Sequence, residues 1–205
     1  MRLKQLEMAL QQVEGFADPS ARREQYATPA PLAARLLYHA FMQGDIKDMS
    51  VQDLGCGTGI LSIGASLLGA ASVKGVDIDR HAVDTARKNA ESFRVDPEFI
   101  TGDIRDLEVR AQLGSCNTVV MNPPFGAQAA HADRPFIDAA LELGEVVYSI
   151  FNRGSRQFVE EYIRGRGTIK EVVGVAFPLK RTFSFHTKEV REILVEVLVM
   201  RRIQS

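Results

Sequence analysis

Short runs rich in Val, Ile and Leu alternate with helix-spaced segments through most of this chain, and that alternation constrains the fold more than any other feature. "MSVQDLG" is an apolar run ending in glycine, "GILSIGASLLG" has helical spacing, "ASVKGVDID" is a second strand-like run, and "DRHAVDTARKNAESF" is a helix with a polar face. The series continues with "PEFITGD" and "CNTVVMN" as strands, "FIDAALELG" as helix, "EVVYSIF" as strand and "SRQFVEEYIRGR" as helix. Strands joined by helices at this spacing imply right-handed crossovers and a mostly parallel, doubly wound α/β sheet covered on both faces. The end breaks the pattern. "IKEVVGVAFPL" and "EILVEVLVMRRI" have only a loop between them, so an antiparallel pair is expected at one edge of the sheet. Ahead of the series, "TPAPLAARLLYHAFMQG" predicts a helix with Thr28 as its N-cap and prolines in its first turn, preceded by a further N-terminal helix.

The 205 residues, 45% of them apolar, suffice for one well-buried core, so one domain over 1–205 is expected, with 1–48 as a helical lid segment and 49–205 as the core. No stretch approaches the roughly 20 apolar residues of a membrane span, and the amphipathic start lacks the apolar centre of a signal peptide; a cytoplasmic location is the expectation. Cys56 and Cys116 stand far apart with no Cys/His cluster, which argues against a disulfide framework and against a zinc site. The net charge of −1 is unevenly spread: residues 151–205 hold 11 Lys and Arg against 6 Glu, so the C-terminal quarter could face an anion.

"DLGCGTG" falls where the first strand meets its helix, and Gly55, Gly57 and Gly59 let a ligand approach the backbone closely. Asp77 closes the second strand, where a carboxylate can accept hydrogen bonds from both hydroxyls of a ribose. A nucleoside-containing cofactor is the natural occupant. Dinucleotide binders want GxGxxG, whereas the spacing here is GxGxG with Asp53 two residues ahead. A pyrophosphate would also avoid the acidic neighbourhood of Asp53, Asp77, Asp79 and Asp103. S-adenosylmethionine carries a sulfonium and an ammonium and no phosphate, so those carboxylates favour it. Asp53 is expected to anchor the loop and the amino-acid end of the cofactor, and Asp103 to accept from the adenine amine.

"VVMNPPFGAQ" stiffens the chain directly behind the fourth strand, since each proline fixes φ and extends the residue before it. The Asn122 side-chain oxygen and the Pro123 carbonyl are two acceptors suited to the two hydrogens of an amino group. Pro124 rigidifies the bend, and Phe125 offers a flat face to a planar base or amide. An amino nitrogen conjugated to a π-system is a poor nucleophile; two acceptors localise its lone pair for attack on a methyl group. No strong general base is required.

The chain resembles the methyltransferase-like protein 5 family of rRNA adenine-N6 methyltransferases over nearly its whole length. The likeness rests on "LQQVEGF", "EQYATPAPLAARLLY", "DLGCGTGILSIG", "MNPPFG", "VVYSI" and "FSFHTKEV". It implies a seven-stranded Rossmann-like methyltransferase sheet, S-adenosylmethionine as cofactor, and one N6-methyladenosine in small-subunit rRNA as product. Carried over residue by residue, cofactor binding falls to Gln25, Thr28, Gly55, Thr58, Ile60, Asp77, Asp103 and Ile104. Where eukaryotic members often have a second Cys in the glycine loop, this chain has Thr58, which preserves size. The target adenine must leave any stack to enter, and Phe125 supplies a replacement stacking surface. The resemblance gives the basic set Arg153, Arg156, Arg164, Arg166, Lys180, Arg181, His186 and Lys188 a motive, and interleaving with Phe183 and Phe185 suits RNA phosphate contact with base stacking. It also implies a small zinc-finger activator protein at the third-strand edge, around "PEFITG".

The residues alone leave rivals open. A protein glutamine-N5 methyltransferase would grip a side-chain amide in the same loop, but such enzymes usually carry a separate N-terminal helical domain, and about 50 residues precede the first strand here. A DNA adenine methyltransferase usually has a target-recognition insertion, for which 205 residues leave no room. A catalytically silent S-adenosylmethionine-binding scaffold is the third, and the intact Asn-Pro-Pro-Phe argues against it.

Overall fold

A computed structural model describes residues 1–17, 19, 25, 27–124, 132–178 and 192–203. Two N-terminal helices, α1 (Leu3–Leu10) and α2 (Ala30–Met42), precede the alternating part. There β1 (Ser50–Leu54), α3 (Ile60–Leu67), β2 (Ser72–Asp77), α4 (Arg80–Phe93), β3 (Glu98–Thr101) and α5 (Leu107–Leu113) follow in turn. The chain then runs through β4 (Cys116–Met121), α6 (Arg134–Leu143), β5 (Gly144–Asn152) and α7 (Arg156–Tyr162), and ends in β6 (Gly167–Pro178) and β7 (Glu192–Arg202).

The strands form one seven-stranded sheet in the order β3-β2-β1-β4-β5-β7-β6. Neighbours from β3 to β5 are parallel, and β7 inserts antiparallel between β5 and β6, with Tyr148 opposite Val199 and Val173 opposite Val197. This is the mostly parallel, doubly wound arrangement with an antiparallel C-terminal pair that the pattern predicts. Alternation along the strands divides the core. Val51, Val120, Tyr148 and Val197 pack under α1 to α4, while Val119, Met121, Val147 and Leu198 pack under α5 to α7. Both faces are apolar because both are covered.

Three local features depart from the sequence reading. Helix α5 was not expected, because seven residues are too few to establish a helical period. Helix α2 begins one residue later than predicted, with Pro29 at its N-cap and no side-chain cap, because the Thr28 hydroxyl is engaged elsewhere. The residue between α6 and β5 is also a shared one: Gly144 caps the helix and opens the strand, and a Cβ there would stand 2.7 Å from Val119 Cγ2. Among the described residues no helix is long and apolar enough to cross a membrane.

Candidate active site

The reversal of strand order between β1 and β4 opens a crevice at the carboxyl ends of the parallel strands, where open α/β sheets place their ligands. A cavity of about 750 Å³ lies there, within the ~300–1,000 Å³ typical of small-molecule sites. Its floor is the turn after β1. The amides of Gly55 and Cys56 both donate to the Val76 carbonyl, at 2.8 and 2.9 Å, which ties the turn to the end of β2.

Two glycines in this turn do different work. Gly57 has φ +52°, and a Cβ on it would stand 2.9 Å from Phe16 Cζ; the bare backbone lets the N-terminal segment lie directly on the loop. At Gly59, φ +88°, a Cβ would meet Ala86 Cβ and Phe99 Cζ at 3.0 Å, so this glycine serves the packing of the turn on α4 and β3 and does not line the cavity.

Asp77 organises the turn. Its carboxylate accepts from the Gly57 amide and from the Asp79 amide, each at 2.9 Å, and the residue lines the cavity. A carboxylate has about four acceptor positions, so it can hold several donors at once. Asp103, behind β3, is gripped by Arg105 through Nε at 3.0 and 2.9 Å and Nη2 at 2.5 Å. The hydrogen bonds from Arg105 hold its carboxyl below the ordinary range, so it stays an ionised acceptor at the cavity wall. Ile104 beside it is buried and lines the same wall.

Asp53 is where the structure corrects the expectation. It is 1% exposed and does not line the cavity. Its Oδ2 accepts from the Ser62 amide at 2.9 Å and the Ser62 hydroxyl at 2.6 Å, so it fastens α3 to β1 and does not reach toward the amino-acid end of a ligand. Burial pushes its carboxyl up to about 7, against the opposing pull of the Ser62 bonds. A strand-end aspartate next to a glycine turn reads the same in sequence whether it faces the ligand or the helix; only the β1 pleat decides.

Asn122 follows β4 directly. Its Nδ2 donates to Thr28 Oγ1 at 2.9 Å, while its Oδ1 is sealed from solvent and has no hydrogen-bond partner among the described residues. A buried carbonyl oxygen without a donor costs about 1–3 kcal/mol, and here it belongs to a residue that lines the cavity. Pro124 lines the cavity; Pro123 is buried and does not.

Gln25, Thr28, Gly55, Gly57, Thr58, Ile60, Asp77, Asp103 and Ile104 are thus gathered around one cavity with Asn122 and Pro124. Phe125, Lys180, Arg181, Phe183, His186 and Lys188 lie outside the described residues. Of the other cations singled out, Arg153 and Arg164 are exposed, Arg156 lies 3.9 Å from Glu160, and Arg166 pairs with Asp138 at 2.7 Å. Sequence reading passed over Phe16, Asn89 and Phe136. Phe136 lines the cavity as Phe16 does, 3.0 Å from where a Gly55 Cβ would stand. The buried Asn89 side chain accepts from the Glu14 amide and donates to the Glu14 and Thr58 carbonyls, all at 3.0 Å. It clamps the N-terminal segment to the glycine turn. Gln25 does the same further along, donating to Asp79 Oδ2 at 2.7 Å.

A sheet in this order with an antiparallel seventh strand, and a glycine turn, carboxylates and an Asn-Pro-Pro bend around one crevice, defines a Rossmann-like methyltransferase. Comparison with known proteins refines that class. The family profile for ribosomal protein L11 methyltransferase (PrmA) matches residues 35–122, which span β1 to β4. An uncharacterised protein of Methanocaldococcus jannaschii, MJ0284, is 38% identical over 99% of this chain and 95% of its own. The rRNA N(6)-adenosine-methyltransferase METTL5 of Danio rerio is 35% identical over 97% of this chain and 98% of its own. The crystal structure of PH1948 from Pyrococcus horikoshii, assigned provisionally as an RNA methyltransferase, superposes with a TM-score of 0.88 at 36% identity, covering 100% of this chain and 99% of that one. The chain belongs to the METTL5 family of methyltransferases.

Proposed function

We propose that the protein transfers the methyl group of S-adenosylmethionine to the exocyclic N6 of one adenosine in small-subunit ribosomal RNA. The observation that carries this reading is Asn122: it lines the cavity, its Nδ2 is tied to Thr28, and its Oδ1 has no hydrogen-bond partner among the described residues. A neutral acceptor suits a nitrogen that becomes cationic only in passing, and its proton can leave to solvent afterwards. Asn122 Oδ1 takes an N–H group and draws the lone pair out of conjugation, while Pro123, buried off the cavity wall, shapes the bend that carries it. Pro124 keeps the bend stiff, and Phe125 stacks the base.

The residues present fit the cofactor. Asp77 offers acceptors to the ribose hydroxyls, and Asp103 accepts from the adenine amine beside Ile104 and Ile60. The turn around Gly55, Gly57 and Thr58 receives the amino-acid end with Gln25 and Thr28 closing over it. When bound, S-adenosylmethionine supplies the electrophilic methyl. Residues 1–48 act as a lid on a catalytic core of 49–205. Lys180, Arg181, Phe183, His186 and Lys188 contact the RNA.

The reading extends to a small zinc-finger activator protein that adds a strand at β3. That strand is four residues long and pairs on one side only, with β2, among the described residues. Co-purification from the source cell tests this part. A chain that is fully active and stable alone counts against an obligate partner.

Transfer of labelled methyl to total ribosomal RNA, followed by nucleoside analysis, tests the central proposal. Label in N6-methyladenosine is expected. Label found only in protein would point to glutamine as the target and overturn it.

A further inference from the structure

Helix α6 starts with Arg134, and the guanidinium of that residue is placed in an uncommon way. Its Cζ lies 5.2 Å from the centre of the Tyr162 ring and 5.6 Å from that of Phe158. The two rings are themselves stacked, 5.8 Å apart at 26°, one helical turn from each other along α7. Nε of Arg134 is sealed from solvent with no hydrogen-bond partner, and the side chain forms no ion pair or hydrogen bond with any described residue. A cation–π contact holds the group flat, and burial of part of it strips away water without returning a donor's worth of acceptors.

The nearby carboxylate is already spoken for. Asp138 accepts from Arg166 at 2.7 Å and from the Tyr162 hydroxyl at 3.0 and 2.9 Å, and Arg166 also stands over the Tyr162 ring at 5.1 Å. Two guanidinium groups therefore share the Tyr162 ring, and only Arg166 has the carboxylate. Arg134, half-buried over the rings, is left without an acidic partner among the described residues.

Its place in the fold says what it could meet. Helices α6 and α7 follow β4 and β5, so both begin at the carboxyl ends of the parallel strands, the end that holds the cavity. Ala132, Pro135 and Phe136, on either side of Arg134, line that cavity together with Asn122. Arg153, in the turn ahead of α7, is exposed at the same end of the sheet. A polyanion whose one base is turned into the crevice must pass its backbone over this rim.

The geometry points to Arg134, held by Phe158 and Tyr162, as a phosphate-binding site for the RNA strand next to the target adenosine. This rests on the reading of the cavity as an RNA-methylating site. The planar fork matches two phosphate oxygens at once, and the aromatic pair fixes its orientation beforehand, which lowers the ordering cost of the contact.

Two variants test it, Arg134→Met, which keeps a long apolar stem on the rings without the charge, and Arg134→Lys, which keeps the charge without the planar stack. Binding of small-subunit ribosomal RNA is followed by fluorescence anisotropy across a series of KCl concentrations, beside methyl-transfer kinetics, cofactor titration and melting temperature. Arg134→Met is expected to weaken RNA binding about tenfold, as loss of one charge-assisted contact does, and to lower the slope of log K against log salt by about 0.7–0.9. KM for RNA rises while kcat and cofactor affinity hold. Arg134→Lys keeps the salt slope and loses only part of the affinity. RNA affinity and salt slope unchanged in Arg134→Met, with a lower melting temperature alone, would make the residue a helix fastener and overturn the site. Wild-type chain that binds the RNA with the expected Arg134-dependent slope yet transfers no methyl to it would sink the functional reading and leave the phosphate site standing.

Discussion

Replacing Thr28 by Val asks whether the tie between Thr28 and Asn122 sets the reactive geometry. The change keeps the shape of a buried side chain and removes the oxygen that receives Asn122 Nδ2 at 2.9 Å. The amide then has one end with no acceptor and the other with no donor among the described residues, and its orientation is no longer fixed. A hydrogen bond of this kind is worth about 0.5–1.5 kcal/mol net, which converts to a slowing of about 2- to 12-fold. Asn122→Ala removes the acceptor itself. By comparison with the loss of one preorganised group at a reacting centre, it should slow transfer by about 10²–10³-fold. The decisive quantity is the double variant. If Thr28 acts through Asn122, Thr28→Val has no further effect when combined with Asn122→Ala, and the coupling equals the whole Thr28 effect. Single-turnover methyl transfer to ribosomal RNA, with enzyme in excess and cofactor saturating, isolates this step from cofactor affinity. Equal slowing by Thr28→Val in the wild-type and Asn122→Ala backgrounds would refute the reasoning and assign Thr28 to the cofactor or the fold alone.

Further outcomes follow from the same contacts. Gly57→Ala, at φ +52° and with its Cβ 2.9 Å from Phe16 Cζ, should cost about 1–2 kcal/mol in backbone strain and displace the Phe16 ring. Calorimetry is expected to show cofactor binding at least about tenfold weaker, since 1.4 kcal/mol is a factor of ten. Asn89→Ala removes three hydrogen bonds at 3.0 Å between α4, Glu14 and Thr58, so hydrogen exchange over residues 11–17 should accelerate well before the sheet loosens. Unchanged exchange there would remove the clamp. Asp53 gives a pH signature. Its folded-state value of about 7 lies above the ordinary 3.8, so between those two pH values the folded chain keeps a proton that the unfolded chain has lost, and stability falls as pH rises. The difference amounts to at most about 4 kcal/mol. Asp53→Asn can still accept from Ser62 and cannot ionise, so urea unfolding between pH 4 and 8 should lose that component of the slope; parallel curves for the two proteins would contradict it.

How much of this could be read in the sequence depended on the range of the interactions involved. The mostly parallel sheet and the antiparallel end follow from local periods of two and three to four residues, and from the missing helix between the last two strands. The glycine turn, Asp77, Asp103 and the Asn-Pro-Pro bend were legible because each sits where a strand stops, and strand ends of one parallel sheet converge. Asp53 was misjudged because the side a strand residue faces is a property of register, not of motif. Asn89 and Phe16 left no signal. Asn89 meets Glu14 across 75 residues of chain, and an amide in the middle of a polar-faced helix looks like any solvated residue until that helix is packed. The same holds for Arg134, whose stacking partners arrive from α7.

The N-terminal segment reaches the site at three separate points. Asn89 holds Glu14 against the glycine turn, Gln25 reaches Asp79 behind β2, and Thr28 orients Asn122 behind β4. These strand ends serve the two halves of the reaction, since Asp77 and Asp79 stand on the side proposed for the cofactor and Asn122 on the side proposed for the amine. One segment therefore couples them. On the proposed reading, a cofactor seated in the cavity packs against the same segment that orients the amide through Thr28, so occupancy of one half bears on the other. Cofactor binding and RNA productive binding should then be linked, each tightening the other by the same factor in equilibrium measurements. Titrating ribosomal RNA with and without S-adenosylhomocysteine reads that factor directly. Equal affinities would show that the segment closes independently of its occupant, and the coupling through Thr28 would be confined to the chemical step.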